Sequence, residues 1–322
     1  MWKGDGKVLN WSELLNVTEE AALAASGEIG RGRKNEADGE ATDAMRRALN
    51  AVPVAGVVVI GEGELDEAPM LYIGESVGSG TGPAMDVAVD PVEGTELLAS
   101  GEWGAMSIIG MAPRGSLLHA PDMYMQKLAV GPEAAGAVHL DAPIAENLTA
   151  IARAKGKRIE NVVVAVQRRE RHASLIAEIR EAGASVRLFE HGDVAMTMMA
   201  GLGQGIDALM GIGGAPEGVL SAIAFRCLGG EFQGRLMPVT PAEVERCIAM
   251  GIPDPTRSLT MADLVRSCDC WLAATGITSG PFLRGVETGP QGVFCHSLVM
   301  AGNGMIRFVE TTRPNRTHGM AP

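Results

Sequence analysis

The chain has 322 residues and a formal net charge of −12, and 46% of its residues are hydrophobic but only 4% aromatic. An acidic chain without a basic stripe is not expected to bind nucleic acid as its main role, and without 18 consecutive apolar residues it is not expected to span a membrane. The 42 glycines and the scarcity of aromatic residues favour an α/β enzyme of one or two domains, which we expect to form two lobes.

The N-terminus and the cysteines predict a cytoplasmic protein. Residues 1–6 lack the apolar core of a signal peptide. Five cysteines are an odd number and do not make a disulfide framework in a chain of this length. Cys268 and Cys270 form a close pair without a second pair at zinc-site spacing, so we interpret them as structural thiols rather than metal or redox groups.

The first elements in chain order are two helices. Helical spacing of apolar residues predicts a helix over 11–26 and a second over about 40–50. The basic and acidic cluster at 30–39 between them is typical of a solvated loop. Its functional alternative is a phosphate contact through Lys34 beside a metal ligand, Asp38.

Two strands then end in carboxylates. The apolar strand 56–60 is followed by Glu62, Glu64, Asp66 and Glu67, and the alternating strand from Ala84 is followed by Asp90, Glu93 and Thr95. Pro91 is expected to end the second ladder. Clustered carboxylates repel one another unless a cation neutralises them, and oxygen ligands suit Mg²⁺ or Mn²⁺. A shared metal site is therefore a better prediction than two solvent-facing acidic turns.

The middle of the chain carries weaker signals. The glycine-rich run 78–82 lacks the lysine of a phosphate-binding loop, and we interpret it as a flexible hairpin connection. Strands are predicted at 104–111 and 116–119. Tyr124 follows in a polar turn, where a packing tyrosine with a solvated hydroxyl is the ordinary interpretation.

From about residue 158 the pattern changes to alternating strands and helices, which predicts a parallel sheet. Strands are predicted at 162–166, 185–189 and 206–211, and helices at 173–182, 193–200 and 217–228. Arg169 and Arg171 are suited to binding phosphate, and the helix starts after these strands favour anions. The glycines near 213 lack the full G-x-G-x-x-G spacing, which argues against nicotinamide binding. A helix at 241–250 and strands at 272–274, 292–297 and 305–311 complete the chain.

Several motifs together resemble one enzyme family. The run Asp90-Pro91-Val92-Glu93-Gly94-Thr95 resembles the D-P-[IV]-[DE]-G-T signature of the lithium-sensitive, metal-dependent sugar phosphatases. Further runs are similar to those of the GlpX-type, class II fructose-1,6-bisphosphatases, and the resemblance covers about residues 15 to 310: 34–39, 60–64, 66–74, 120–125, 211–218 and 274–278.

The resemblance implies roles for particular residues. The implied metal ligands, for two or more Mn²⁺ or Mg²⁺ ions, are Asp38, Glu62, Asp90, Glu93 and Glu217. The implied catalytic residues are Lys34, Asp66 and Thr95. The implied contacts to the sugar phosphate are Glu93, Gly94, Thr95, Tyr124, Arg169, Glu170, Arg171, His191, Gly192, Asp193 and Gly214. His191 departs from the Asp of the family pattern, and Arg169 from a lysine, so both bear on sugar preference.

The resemblance also implies the architecture and the assembly. We expect an α/β fold, a layered α-β-α-β-α sandwich of two lobes with the active site between them. The expected division is a metal-binding lobe over 1–157, a substrate lobe over 158–285, and C-terminal strands over 286–322 that return to the first lobe. A homo-oligomer, a dimer or a tetramer, is implied as well.

The implied activity is metal-dependent hydrolysis of the 1-phosphate of fructose 1,6-bisphosphate, in gluconeogenesis or Calvin-type carbon metabolism. A dual enzyme that also takes sedoheptulose 1,7-bisphosphate has the same site motifs. An inositol-monophosphate-type phosphatase shares the D-P-x-[DE]-G-T signature, although the runs at 121–125 and 213–218 favour the bisphosphatase. A non-catalytic sugar-phosphate sensor would be expected to lack one of the metal acids, and all five are present.

Overall fold

The computed structural model describes residues 10–61 and 71–314, and in them two β-sheets alternate with three layers of helices. The α-helices of this part of the chain are α1 (Trp11–Ser26), α2 (Lys34–Leu49), α3 (Thr95–Ser100), α4 (Ile144–Ala154), α5 (Ala173–Glu181), α6 (Asp193–Gly201), α7 (Ala215–Leu228), α8 (Pro241–Ala249) and α9 (Met261–Leu264). The strands of this part are β1 (Ala55–Ile60), β2 (Ser76–Val77), β3 (Ala84–Glu93), β4 (Met106–Pro113), β5 (Tyr124–Val130), β6 (Val163–Gln167), β7 (Ser185–Phe189), β8 (Ala208–Gly214), β9 (Glu231–Leu236), β10 (Trp271–Gly276), β11 (Glu287–Gly289), β12 (Gly292–Ala301) and β13 (Met305–Arg313).

The eight-stranded sheet has the order β11-β12-β10-β4-β3-β1-β2, with β13 paired to β12. Its two faces follow the period-2 alternation of β3. Val87 and Val89 pack toward α1 and α2, whereas Ala88 between them packs toward α7. The sheet is therefore covered on both faces.

The five-stranded sheet has the order β7-β6-β8-β5-β9. Strand β6 pairs with β7 and β8 in parallel, as the strand–helix alternation predicts, but β5 pairs antiparallel with both β8 and β9. The expectation of a parallel sheet is therefore confirmed only for the pairings of β6, because β5, which precedes the strand–helix alternation in the chain, runs antiparallel to both of its neighbours. The sheet is mixed.

Helix α7 lies in the central layer between the two sheets, and apolar residues on all of its sides explain that position. Val219, Leu220 and Ile223 are buried in the central core. The packing on β4 is close at Gly110, where an added Cβ would lie 2.5 Å from the Ile223 Cδ1 atom. With α1 and α2 outside one sheet, and α4 and α5 outside the other, the layers have the expected α-β-α-β-α order.

Three local expectations are wrong. Residues 34–39 are not a loop but the first turns of α2, and residues 116–119 form only an isolated bridge from Leu117 to Val265. Strand β3 does not end at Pro91 but runs to Glu93, and its pairing with β4 is interrupted between Asp90 and Glu93. Because proline has no N–H to donate, the strand passes it as an irregularity that redirects the acidic side chains.

The glycine-rich turn at 78–82 lies between β2 and β3, which are not neighbours, because β1 separates them in the sheet. It is therefore not the connection of a hairpin. Strand β5 belongs to the five-stranded sheet although it precedes residue 158, and β10 belongs to the eight-stranded sheet although it precedes residue 286. The division into lobes at 157 and 285 stays a prediction. Among the described residues, none of the helices has the length and apolar character needed to cross a membrane.

Candidate active site

A polar pocket of about 290 Å³ lies where the ends of β3, β6 and β8 meet the starts of α6 and α7. Ten residues of the predicted site line it: Glu93, Gly94, Tyr124, Arg169, Arg171, His191, Gly192, Asp193, Gly214 and Glu217. Gln167 and Gly213 line it as well. These residues come from five separate parts of the chain, and the sheet edges bring them together.

Glu93 forms the buried acidic wall of the pocket. It is 6% exposed, and its Oε1 accepts a hydrogen bond of 3.2 Å from the backbone N–H of Val194. Burial raises the pKa of Glu93 to about 7, the negative charges of Glu217 and Asp193 add to the rise, and a hydrogen bond with Asp90 opposes it. Two carboxyl groups in hydrogen-bond contact need a proton or a cation between them.

Glu217 is the second acidic group, in the first turn of α7. Its Oε2 atom is buried and has no hydrogen-bond partner among the described residues. Gly214, the last residue of β8, leaves room for this carboxylate, because a Cβ at Gly214 would lie 2.0 Å from Glu217 Oε2. A buried carboxylate oxygen without a donor is costly unless a ligand satisfies it.

Asp38 and Thr95 meet beside this pocket without lining it. The Thr95 hydroxyl lies 3.1 Å from the Val92 carbonyl oxygen and 3.3 Å from Asp38 Oδ1, and it can donate its one proton to either. Burial raises the pKa of Asp38 to about 6, and the Thr95 hydrogen bond opposes the rise. Lys34, one turn before Asp38 on α2, is exposed and its Nζ contacts the Glu96 carboxylate.

The acidic groups fit a hard cation. Glu93 shares a hydrogen bond with Asp90 and lies in the field of Glu217, whose Oε2 is unsatisfied. Carboxylate oxygens are the donors that Mg²⁺ and Mn²⁺ prefer. The side chains of residues 10–61 and 71–314 do not by themselves form a group of three such ligands around one point. Two members of the predicted set, Glu62 and Asp66, lie outside the described residues.

Cationic and aromatic groups line the same pocket. Tyr124 is not in a turn but is the first residue of β5, and it is 52% exposed. The Arg171 guanidinium lies 4.7 Å from the centre of its ring and donates 2.9 Å to the Ile212 carbonyl oxygen. Arg169 donates to the Glu190 carbonyl oxygen at 2.8 Å. Glu170, between the two arginines, is exposed and does not line the pocket.

The turn from β7 to α6 supplies His191, Gly192 and Asp193. Gly192 has φ of 85°, a left-handed conformation that glycine adopts without strain, and Gly94 before α3 has the same value. These two glycines let the chain turn from strand to helix at the pocket. Asp193 then begins α6 and contacts the amine of Lys127.

Sequence reasoning missed Gln167, Lys127 and His172. Gln167 is the last residue of β6, a position that strand-end reasoning could have found. Lys127 is a charged residue in the middle of a largely buried strand, and this charge is a signal visible in the sequence. His172 is buried behind the arginines. Its Nδ1 donates 2.7 Å to the Gln167 carbonyl oxygen, since its Nε2 accepts 2.8 Å from the Ile212 N–H.

A family model and several known proteins are similar to this chain over most of its length. A family model described as bacterial fructose-1,6-bisphosphatase, glpX-encoded, matches residues 9–313. A Synechococcus protein named D-fructose 1,6-bisphosphatase class 2/sedoheptulose 1,7-bisphosphatase is 44% identical over 325 residues, which cover 93% of this chain and 94% of that protein. The Gloeobacter violaceus protein of the same name is 43% identical with the same coverage.

The Escherichia coli protein named fructose-1,6-bisphosphatase 1 class 2 is 45% identical over 289 residues, which cover 85% of this chain and 86% of that protein. The family model and these relatives span nearly the whole chain, including both sheets and every strand end that lines the pocket. The chain therefore belongs to the GlpX-type, class II fructose-1,6-bisphosphatase family, whose members are metal-dependent phosphatases that act on phosphoric monoesters.

Proposed function

We propose that this protein hydrolyses the 1-phosphate of fructose 1,6-bisphosphate and releases fructose 6-phosphate and phosphate. The observation that carries the proposal is that two kinds of group line one pocket. The carboxylates Glu93 and Glu217 form what we term its acidic wall, and Arg169, Arg171 and Tyr124 form its cationic wall. A bisphosphorylated sugar has two anionic ends, and this pocket offers a different environment to each.

The cationic wall is suited to the phosphate that is retained. Arg171 keeps its guanidinium plane over Tyr124 while one of its nitrogens is held by Ile212, so the group is oriented before a ligand arrives. Preoriented guanidinium groups bind phosphate oxygens in pairs. Tyr124 presents its exposed hydroxyl at the same wall. We assign Asp193 and the His191 turn, which line the same pocket, to the sugar hydroxyls between the two ends.

The acidic wall is suited to the phosphate that is cleaved. We assign Asp38, Glu62, Asp90, Glu93 and Glu217 to two or more Mg²⁺ or Mn²⁺ ions, which when bound supply positive charge to the phosphoryl oxygens and activate water. Thr95 holds its hydroxyl between Asp38 and the strand end and orients a water or the leaving oxygen. Asp66 accepts the proton of the water, and Lys34 offsets phosphate charge. Phosphoryl transfer depends mainly on such positioning and charge stabilisation.

Sedoheptulose 1,7-bisphosphate is a second candidate substrate. Two of the relatives, from Synechococcus and Gloeobacter violaceus, are named for both bisphosphatase activities and are as similar to this chain as the Escherichia coli protein is. The two substrates differ by one carbon of the sugar, so the same two walls serve both. We further propose that the protein acts in the cytoplasm as a homo-oligomer, a dimer or a tetramer.

The test is phosphate release from fructose 1,6-bisphosphate, sedoheptulose 1,7-bisphosphate, fructose 1-phosphate and inositol 1-phosphate, each with EDTA, Mg²⁺ or Mn²⁺. We expect metal-dependent turnover of one or both bisphosphates. Asp90→Asn should lower it on the order of 100-fold or more, since metal ions supply several kcal/mol of charge stabilisation. Asp254→Asn, in an exposed loop, is the matched control. Turnover of inositol 1-phosphate alone, or of none of the four, would refute the proposal.

A further inference from the structure

Lys127 is a buried lysine in the middle of β5, and its side chain is only 1% exposed. Its neighbours along the strand, Met125, Leu128 and Ala129, are buried apolar residues. Lysine is seldom fully buried unless it is paired, because an ammonium group loses its hydration in the interior. The side chain therefore needs a specific partner at this position.

That partner is Asp193, whose Oδ2 contacts the Lys127 Nζ. The Asp193 side chain is 17% exposed and lines the candidate active site, whereas Lys127 does not line it. Two glycines make room for the pair. A Cβ on Gly213 would lie 2.5 Å from Asp193 Oδ2 and 3.0 Å from Lys127 Nζ, and a Cβ on Gly218 would lie 3.4 Å from Lys127 Cε. The backbone around the pair is shaped to accept it.

The charges around Asp193 show what the pair does. Glu93 and Glu217 are the acidic groups of the same pocket, and the negative charge of Asp193 already contributes to the raised pKa of Glu93. An unpaired Asp193 would add uncompensated charge beside them and would be free to change rotamer. A buried ion pair is weak as a source of stability compared with apolar packing, so its value lies in holding Asp193 in a fixed place.

We propose that Lys127 is a positioning residue for sugar recognition, which holds the Asp193 carboxylate at the pocket so that it accepts hydrogen bonds from the sugar hydroxyls. The role rests on the proposed sugar-bisphosphatase function. Because Lys127 does not line the pocket, it acts only through Asp193. Its loss should weaken substrate binding more than it slows the chemical step at the metal-binding wall.

The test is a double-mutant cycle with Lys127→Met and Asp193→Asn, measured on the full-length enzyme with fructose 1,6-bisphosphate. We expect Lys127→Met to raise KM about tenfold or more, which is the range for a hydrogen bond to a charged group, and to change kcat less than about threefold. If Lys127 acts through Asp193, the double variant should be no worse than Asp193→Asn alone. Calorimetric titration with fructose 6-phosphate should show the same pattern in Kd, independently of turnover.

Lys155→Met is the matched control. The Lys155 side chain is 7% exposed and pairs with Asp207 at 3.6 Å and Glu133 at 3.5 Å, and none of these three residues lines the pocket. Its loss should leave KM and Kd unchanged. Should Lys127→Met not fold, which thermal unfolding would show, Lys127→Gln takes its place as an uncharged donor.

The inference is overturned if the Lys127 variant retains wild-type KM and Kd, if its effect adds fully to that of Asp193→Asn, or if Lys155→Met has the same effect. Wild-type turnover is recorded in the same assay. Its absence would contradict the proposed function, while the titrations with fructose 6-phosphate would still decide whether Lys127 and Asp193 are coupled.

Discussion

Replacing Glu93 by glutamine should stabilise the metal-free protein at neutral and alkaline pH. The side chain is 6% exposed and lies in the field of Glu217 and Asp193, so its ionised form is unfavourable in the folded state when no cation is bound. Glutamine has the same shape and can still accept the hydrogen bond from the Val194 N–H. The substitution therefore removes charge without opening a cavity.

The magnitude follows from the pKa of Glu93, which rises from 4.5 to about 7. At about 1.4 kcal/mol per pKa unit, this corresponds to roughly 3 kcal/mol. The pKa of Glu93 is higher in the folded state than in the unfolded state. The protonated carboxyl therefore contributes its full stabilisation of the folded state below pH 4.5, and this stabilisation is lost as the pH rises through about 7. Glu93→Gln keeps that benefit at every pH, so it should exceed the wild type by roughly 3 kcal/mol above pH 7 and by almost nothing near pH 4.5.

The assay is urea unfolding of EDTA-treated protein at intervals from pH 4.5 to 8.5, followed by the same series with Mn²⁺ or Mg²⁺. A divalent ion that binds only the folded wild type stabilises it by mass action. With the ion present, the wild type should therefore be the more stable of the two proteins, because Glu93→Gln has lost a ligand while the wild type gains stability from binding. The loss of that ligand should also lower phosphate release by the variant.

The matched control is Glu96→Gln, an exposed carboxylate on α3 that pairs with Lys34. Exposed ion pairs contribute about 0–1 kcal/mol, so this variant should show no comparable gain above pH 7. If Glu93→Gln is less stable than the wild type in EDTA at pH 8, or if its advantage does not depend on pH, the electrostatic reasoning about this pocket is wrong.

Two further predictions concern the surroundings of the same pocket. Gly214→Ala would place a Cβ 2.0 Å from Glu217 Oε2 and displace that carboxylate, so metal-dependent phosphate release should fall at least about tenfold. Gly39→Ala, which has open space around it on α2, is the control, and it should raise the free energy of unfolding in urea by about 0.5–1 kcal/mol. His172 must be neutral to accept from the Ile212 N–H, and burial lowers its pKa from 6.5, so the wild type should lose stability relative to His172→Gln as the pH falls below 6.5. Retained activity in Gly214→Ala, or parallel stability curves for His172→Gln between pH 7 and 5, would contradict these expectations.

The layered fold and most of the elements could be predicted because they depend on local patterns and on a family resemblance. The helix 11–26 and the strand 185–189 match the structure residue for residue. Apolar spacing sets which side of each element faces a core, and that information is present in the sequence. The resemblance supplied the order of the layers, which spacing alone does not give.

The misses occur where non-local packing decides the structure. Residues 34–39 read as a polar loop, yet they form the start of α2, whose Ala37 is buried in the core beneath the eight-stranded sheet. Strand β5 begins at Tyr124 because its partners β8 and β9, far along the chain, supply the pairing. Neither partner is visible from the local pattern at 120–127. The mixed sheet follows from the same long-range pairing.

Around the candidate site, several residues depart from the patterns that are typical of strands, helices and buried cores. Pro91 stands inside a strand, Glu217 leaves a buried oxygen without a donor among the described residues, and Lys127 places a charge in a largely buried strand. Each departure costs stability locally, and each is stable only because distant elements hold it in place.

These three departures have one physical cause. The pocket must hold several negative groups close together before a cation or a sugar phosphate arrives, which neither sheet nor helix periodicity provides. The pairing of β3 is interrupted between Asp90 and Glu93, of which Glu93 lines the pocket, and Lys127 pairs with Asp193. The ionised form of Glu93 is therefore unfavourable in the metal-free fold, and a cation bound beside it would offset that cost. The gain in stability expected for Glu93→Gln without metal, and its loss with metal, tests this account of the pocket.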